Sequence, residues 1–409
     1  MARVILREAS YPVPEDVVDE ILDELSPPLK GKSVLLKPNC LMAARPEEGV
    51  TTHPSLVQAL VKSLTDRGAR VHVGDNPGAR GYGAGEHCFR VSGLLEAAGE
   101  HFVDLGKDTV RVKLKSPFVD HVIVSRLVLE SDYVISLPKL KTHCLTLLTG
   151  AVKNMYGILA GGEKVRLHYL ARRGEDFSGA LVDVFSLRPP DLSVMDAVVA
   201  MEGDGPSHGT LRTVGMVLAS DNAVAVDSAA SRLMGTTPGR IRHLAIAAER
   251  GFGPLDGEGV TFDGELLPVA GFRLPSTFRR GVMNLLSNSI VFNLLHRSRI
   301  QVDQGECSGC GECLAACPSG AVFEVEGTYT IDSAACHQCF CCHELCPSGA
   351  VKVRGALGAL LKKQRKSVRE GGESDACRQA DTGIGNAPEK RDGRRDQGAA
   401  GDCRRGECR

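Results

Sequence analysis

From the N-terminus to about residue 270, short β-branched, apolar runs alternate with stretches whose apolar positions recur every three to four residues. The runs Ser33–Leu36, Arg70–Gly74, Tyr133–Leu137, Leu192–Asp196 and Gly215–Ala219 predict strands. The stretches Glu15–Leu25, Pro54–Arg67, Glu86–Ala98, Thr142–Leu159, Gly179–Leu187, Asn222–Met234 and Gly239–Arg250 predict helices. Strand–helix alternation of this kind predicts an α/β domain over residues 1–275, with a mostly parallel, doubly wound sheet. Thr277–Arg299 changes character: Val282, Met283, Leu285, Leu286, Ile290, Val291, Phe292, Leu294 and Leu295 form an apolar stripe between basic ends. We read 276–300 as a helical connector that docks the following module; a helix lying on a membrane surface is the competing reading. Residues 301–355 form a small cysteine-rich α+β module. From Lys362 the chain is mixed-charge, Gly-rich and nearly free of large apolar residues, which predicts a disordered tail over 362–409.

Composition narrows the function classes. The chain has 409 residues and a net charge of −1, so no bulk field points to nucleic acid or to an anionic membrane. Aromatic content of 4% without tryptophan argues against a base-stacking platform. No stretch is long and apolar enough for a transmembrane segment, and MARVILREAS carries no apolar signal core. With thiols expected to be reduced, the expected location is the cytoplasm.

The cysteines carry the most specific chemistry. Cys307, Cys310, Cys313 and Cys317 read C-x-x-C-x-x-C-x-x-x-C-P, and Cys336, Cys339, Cys342 and Cys346 repeat the frame. This is the ligand pattern of a bacterial-type ferredoxin with two [4Fe–4S] clusters, in which the fourth cysteine of each motif serves the other cluster. The expected sets are therefore Cys307, Cys310, Cys313 and Cys346, and Cys336, Cys339, Cys342 and Cys317. Zinc sites favour C-x-x-C pairs over triplets, and disulfides need an oxidising compartment. Cys341 is an extra thiol inside the second motif; the frame favours its neighbours Cys339 and Cys342 as ligands.

A second constellation lies at predicted strand ends, where open parallel sheets bind ligands. Pro138 ends the strand Tyr133–Leu137, placing Lys139, Lys141 and His143 just beyond it. The stretch read as a helix presents Lys153 and Asn154 on the face of Gly150 and Gly157, whose missing side chains leave room for a bulky group. Three lysines suit an anionic small molecule, and His143 can pass a proton. Lys37 and Asn39, the Thr52-His53 helix start and Asp75 stand at other strand ends. The Gly-rich loop from Gly78 through Gly81 and Gly83 to Gly85 departs from G-x-G-x-x-G. Glu202, Asp204 and His208 in MEGDGPSHG can bind a metal or neutralise the lysines; a glycine-rich turn with solvated acids is the plainer alternative. Asp221 is expected to cap the helix that follows it, while Asp227 either faces the site or is solvated.

These segments (KPN at Lys37–Asn39, Thr52-His53-Pro54, Gly74-Asp75, LPKLKTH…TGAVKNMYG, MEGDGPSHG, Asp221–Gly235 and CHQCFCCHELCP) resemble the family called domain of unknown function 362, often described as uncharacterised iron–sulfur-centre proteins. The resemblance spans about residues 30–355 and implies an α/β domain coupled to a ferredoxin module, without a settled reaction. The expected function is single-electron transfer through two [4Fe–4S] clusters to an anionic substrate or cofactor, exchanging electrons with an external donor or acceptor protein. His143, Lys153 and Asn154 are the candidate catalytic residues. Lys37, Asn39, His53, Asp75, Lys139, Lys141, Glu202 and Asp204 are the candidate binding residues. A non-catalytic carrier or accessory protein docking on a partner enzyme is the alternative, and a non-redox enzyme with structural clusters is a third reading.

Overall fold

A computed structural model describes residues 1–78, 84–171, 174–278 and 298–355. Its centre is a sheet in the order β11 (Val260–Asp263), β1 (Ala2–Glu8), β10 (Thr210–Ser220), β9 (Leu192–Glu202), β6 (Tyr133–Leu137), β2 (Ser33–Pro38) and β3 (Arg70–Val73). The pairs β2–β3, β2–β6, β6–β9 and β1–β11 are parallel. Strand β10 runs antiparallel to both of its neighbours. Alternation of side chains puts Val34, Leu36, Ile135 and Leu137 on one face and Leu35 and Val134 on the other.

The first face packs against α1 (Glu15–Leu25), α2 (Pro54–Asp66), α3 (Ala84–Val91) and α4 (Leu94–Ala98). Gly93, with φ +70°, divides the predicted helix Glu86–Ala98 into α3 and α4. The opposite face is covered by α6 (Gly150–Asn154), α8 (Gly174–Phe185), α9 (Ala223–Leu233) and α10 (Arg242–Glu249). Helices on both faces make this the expected doubly wound α/β arrangement. A ribbon of β4 (Thr109–Lys113) and β5 (His121–Ser125) leads into α5 (Arg126–Glu130), and α7 (Glu163–Leu170) precedes α8. Asn222, rather than Asp221, caps α9 by accepting from the Ala225 N–H at 3.0 Å.

The predicted helix Thr142–Leu159 is mostly something else. Lys139–His143 is strand β7, which pairs with β9 and with the short β8 (Leu147–Leu148). Only Gly150–Asn154 is α-helical, and it tightens into a 3-10 turn over Met155–Ile158. The leucine spacing imitates a helix, but Leu147 adopts φ +70° and turns the chain back. β-Branched Thr142, Thr146 and Thr149 are suited to the extended path.

The C-terminal module pairs β12 (Ser298–Val302) with β15 (Val351–Gly355), and β13 (Val322–Val325) with β14 (Thr328–Ile331). Each cysteine motif carries one helical turn, α11 (Glu312–Ala315) or α12 (Cys341–Glu344). The module packs on the α/β domain: Ser207 Oγ donates to Glu344 O at 2.7 Å, and the His343 ring lies between Val351 O (2.7 Å) and Asp204 O (3.3 Å). The expected connector helix, the loop glycines Gly81 and Gly83 and the expected tail fall on or within residues outside the described ones. Among the described residues no helix is long and apolar enough to cross a membrane.

Candidate functional site

The eight frame cysteines lie in the C-terminal module, and neighbouring thiols shift one another. Cys313 is pushed up to about 11 by burial, and then by Cys346, Cys307 and Cys310. Burial raises Cys336, with Cys339 and Cys317 adding to it. Burial likewise raises Cys342, followed by Cys339, Cys336 and Cys317. These thiols disfavour one another's thiolate forms, a repulsion that bound iron would relieve. Backbone N–H groups of Ala321 and Gln338 already donate to Cys317 Sγ (3.2 Å) and Cys336 Sγ (3.4 Å). The two loops also repeat their backbone shape: Gly311 (φ +75°) precedes α11 and Phe340 (φ +64°) precedes α12. These features fit [4Fe–4S] ligation.

The extra thiol Cys341 makes a side-chain hydrogen bond with Cys339. It packs with Ala316, Leu345 and Cys339, apart from the core that holds Cys313, Cys342 and Cys346. It lines a cleft with about 650 Å³ of empty space, part of it open to solvent. The loops after β2 and β3 give this cleft Asn39, Cys40, Asp75 and Asn76. Lys153, Asn154 and Tyr156 come from α6 and its 3-10 extension, Lys164 and His168 from α7, and Cys341, Glu344 and Leu345 from the cluster module. The strand ends thus meet the ferredoxin module at one cavity.

Behind the cleft, Lys37 Nζ and Asp75 Oδ1 form a buried ion pair at 2.6 Å. Asp75 Oδ2 also accepts from the Cys40 N–H at 2.8 Å. A Cβ on Gly157 would lie 2.2 Å from Asp75 Oδ1 and 2.4 Å from Lys37 Nζ. A Cβ on Gly150 would lie 2.4 Å from the Asp227 carboxylate, which accepts from the N–H groups of Ala151 (2.5 Å) and Val152 (2.9 Å). The space left by these glycines is therefore filled by the chain's own charged groups, not by a ligand. Asp227 is buried, not solvated.

Asn154 fixes a chain of amides. Its Nδ2 donates to Lys37 O (3.2 Å) and Ser136 Oγ (3.0 Å), so its Oδ1 accepts from Asn39 Nδ2 (3.2 Å). The Lys153 ammonium makes no hydrogen bond among the described residues; burial pushes its pKa down against the pull of Glu344. Lys164 Nζ donates to Asn76 O and is pushed down to about 8 by burial.

His143 lies outside the cleft. Its Nδ1 accepts from the N–H groups of Leu145 (3.1 Å) and Thr146 (3.4 Å), which leaves the proton on Nε2, 3.0 Å from Glu344 Oε1. Burial, reinforced by Lys153, pushes its pKa down to about 4, so the ring is neutral near pH 7. Burial pushes Glu344 up, but His143 and Lys153 more than offset this and hold it ionised. The expected proton donor therefore acts by holding Glu344.

The other candidates serve separate contacts. Lys139 Nζ donates to Asp196 Oδ2 at 2.8 Å, and the His53 N–H donates to the same oxygen at 2.9 Å beneath a stacked Tyr11 ring. Lys141 is fully buried, donates to Val50 O at 2.5 Å, and is pushed down to about 7 by burial and then by Lys153. Glu202 binds Arg273 Nε at 2.8 Å, and Asp204 accepts from the Ser276 N–H at 2.7 Å. Sequence reasoning missed Asn76, Lys164, His168 and Glu344. Two of these lie on α7, beyond the dense motif, and Glu344 is hidden among the cysteines.

A family profile described as domain of unknown function (DUF362) matches residues 34–232, and one described as 4Fe-4S dicluster domain matches residues 299–380. The thylakoid-associated protein sll1697 of Synechocystis sp. is 32% identical over 232 residues, which are 56% of this chain and 71% of that protein. Two solved structures show similarity at 15% identity. One is the lactate racemase apoprotein from Thermoanaerobacterium thermosaccharolyticum, with a TM-score of 0.34 over 54% of each chain. The other is a protein from Thermotoga maritima, with a TM-score of 0.32 over 48% of this chain and 52% of that one. The chain spans about half the length of each of these two.

Proposed function

Because the chain belongs to the DUF362 family and ends in a 4Fe–4S dicluster domain, we propose that it is an oxidoreductase delivering electrons to a small anion bound in this cleft. When bound, two [4Fe–4S] clusters supply single electrons. One observation carries the reading: Cys341, between the ligands Cys339 and Cys342, lines the cleft beside Lys153 and Glu344. The reacting ligand thereby lies against the loop that holds one cluster.

The chain's own residues complete the assignment. Lys153 holds the anion, and its burial-weakened ammonium is a ready proton donor to a ligand that has gained an electron. Asn154 orients Asn39, and the Lys37–Asp75 pair holds the loop after β3. His143 positions Glu344. The other cluster set includes the exposed Cys310, and Leu314, Phe323 and Val325 of the same module are also exposed, which suits contact with an external redox protein.

The test is anaerobic purification of the cluster-loaded chain, followed by mass spectrometry of any retained small molecule and reoxidation of the dithionite-reduced protein. Wild type should retain an anion that reoxidises the reduced clusters. Lys153→Met should lose that anion while keeping its iron. Equal retention and equal reoxidation in the variant would refute the assignment.

A further inference from the structure

The cleft specifies more of its ligand than a negative charge. Four polar side chains that line it, each at least nine-tenths buried, keep an atom without a hydrogen-bond partner: Asn39 Oδ1, Asn76 Nδ2, Thr149 Oγ1 and His168 Nδ1. Buried polar atoms are costly to leave unpaired, so such a set marks groups kept for something that binds. The Asn39 atom is assigned by the network itself. Asn154 must turn Nδ2 to Lys37 O, its Oδ1 then requires Asn39 Nδ2, and Asn39 Oδ1 is left buried and unpaired on a residue that lines the cleft. That oxygen can only accept.

Charge gives the second constraint. Lys37, Lys153 and Lys164 face Asp75 and Glu344 at or just behind the cleft wall. Lys153 makes no hydrogen bond among the described residues, although Glu344 pulls on its charge. An anionic group on the ligand would meet Lys153, and its oxygens would also take up the Asn76 Nδ2 donor.

We propose that the ligand is a small organic anion that also carries a hydrogen-bond donor, a carboxylate bearing a hydroxyl. Its anionic group sits at Lys153 and its hydroxyl donates to Asn39 Oδ1. This rests on the reading that the cleft is the ligand site. A carboxylate lacking the hydroxyl leaves the Asn39 oxygen buried and unpaired, and sites built to bond a hydroxyl reject the analogue that lacks it.

The experiment is calorimetric titration of the anaerobic, cluster-loaded full chain with matched pairs: glycolate against acetate, and 2-hydroxybutyrate against butyrate. The hydroxylated member of each pair should bind about tenfold tighter or better, as expected for one buried hydrogen bond. Asn39→Ser should erase that preference within each pair. Lys153→Met should weaken all four alike. Equal binding within each pair, no binding of any member, or a preference that survives Asn39→Ser overturns the proposal. An anion retained by wild type and lost in Lys153→Met would still uphold the cleft as the ligand site, so the two readings fail separately.

Discussion

At the scale of the residue, two glycines differ sharply in what they permit. Gly157→Ala drives a methyl into the Lys37–Asp75 pair. Parting a buried pair typically costs about 3–5 kcal/mol, so this variant should unfold at clearly lower denaturant. Gly179, inside α8 with nothing within 4 Å of its added Cβ, is the control: Gly179→Ala should gain up to about 1 kcal/mol from helix propensity. Asp227 predicts a pH dependence. Burial pushes its carboxyl up to about 7, against the pull of the Ala151 and Val152 N–H groups. The unfolded chain releases this proton near the ordinary carboxylate value of about 4, so folding takes up a proton between there and 7. The contribution of the neutral acid is complete at the acid end of that window, declines as pH rises through it, and is level above. Denaturant unfolding across that range should show the slope, and Asp227→Asn should flatten it.

At the scale of the element, α12 is one turn of helix with two duties. Cys342 packs in the module's core with Cys317 and Cys336, and Cys341 lines the cleft. Cys342→Ser should lower iron content by about four atoms of about eight, whereas Cys341→Ser should retain both clusters' iron and alter only reoxidation by the ligand; iron and sulfide analysis with electron paramagnetic resonance checks both. The cysteine frame was legible because cluster ligation fixes residue type and spacing together. Strands β2 and β6 were legible because burial on both faces forces continuous apolar runs, and β3 because Val71 and Val73 alternate with Arg70 and His72. Strand β7 was not: Leu145, Leu148 and Val152 keep a helical period while Leu147 takes a left-handed turn that side-chain pattern does not encode. The lysines illustrate the same limit. Lys139, Lys141 and Lys153 crowd one segment, yet β7 directs the first to Asp196 and the second to Val50 O, while α6 leaves the third for the cleft.

At the scale of the whole molecule, one wall of the cleft belongs to the cluster module and the rest to the α/β domain. A four-residue helix is far too short to persist alone, so α12 depends on the metal-bound loops around it. Stripping iron with a chelator should raise hydrogen exchange over residues 341–346, and over residues 143–154, where Glu344 meets His143, while β2 and β6 stay protected. Unchanged exchange at residues 143–154 would mean that the wall stands without its metal. The shared wall carries a consequence for the life of the protein. A freshly synthesised chain that has not received its iron and sulfide lacks that wall, so under the proposed function it should neither sequester the reactant nor hold it out of reach of loaded copies. Metal delivery would then govern occupancy as well as redox competence, making starvation for iron lower both at once.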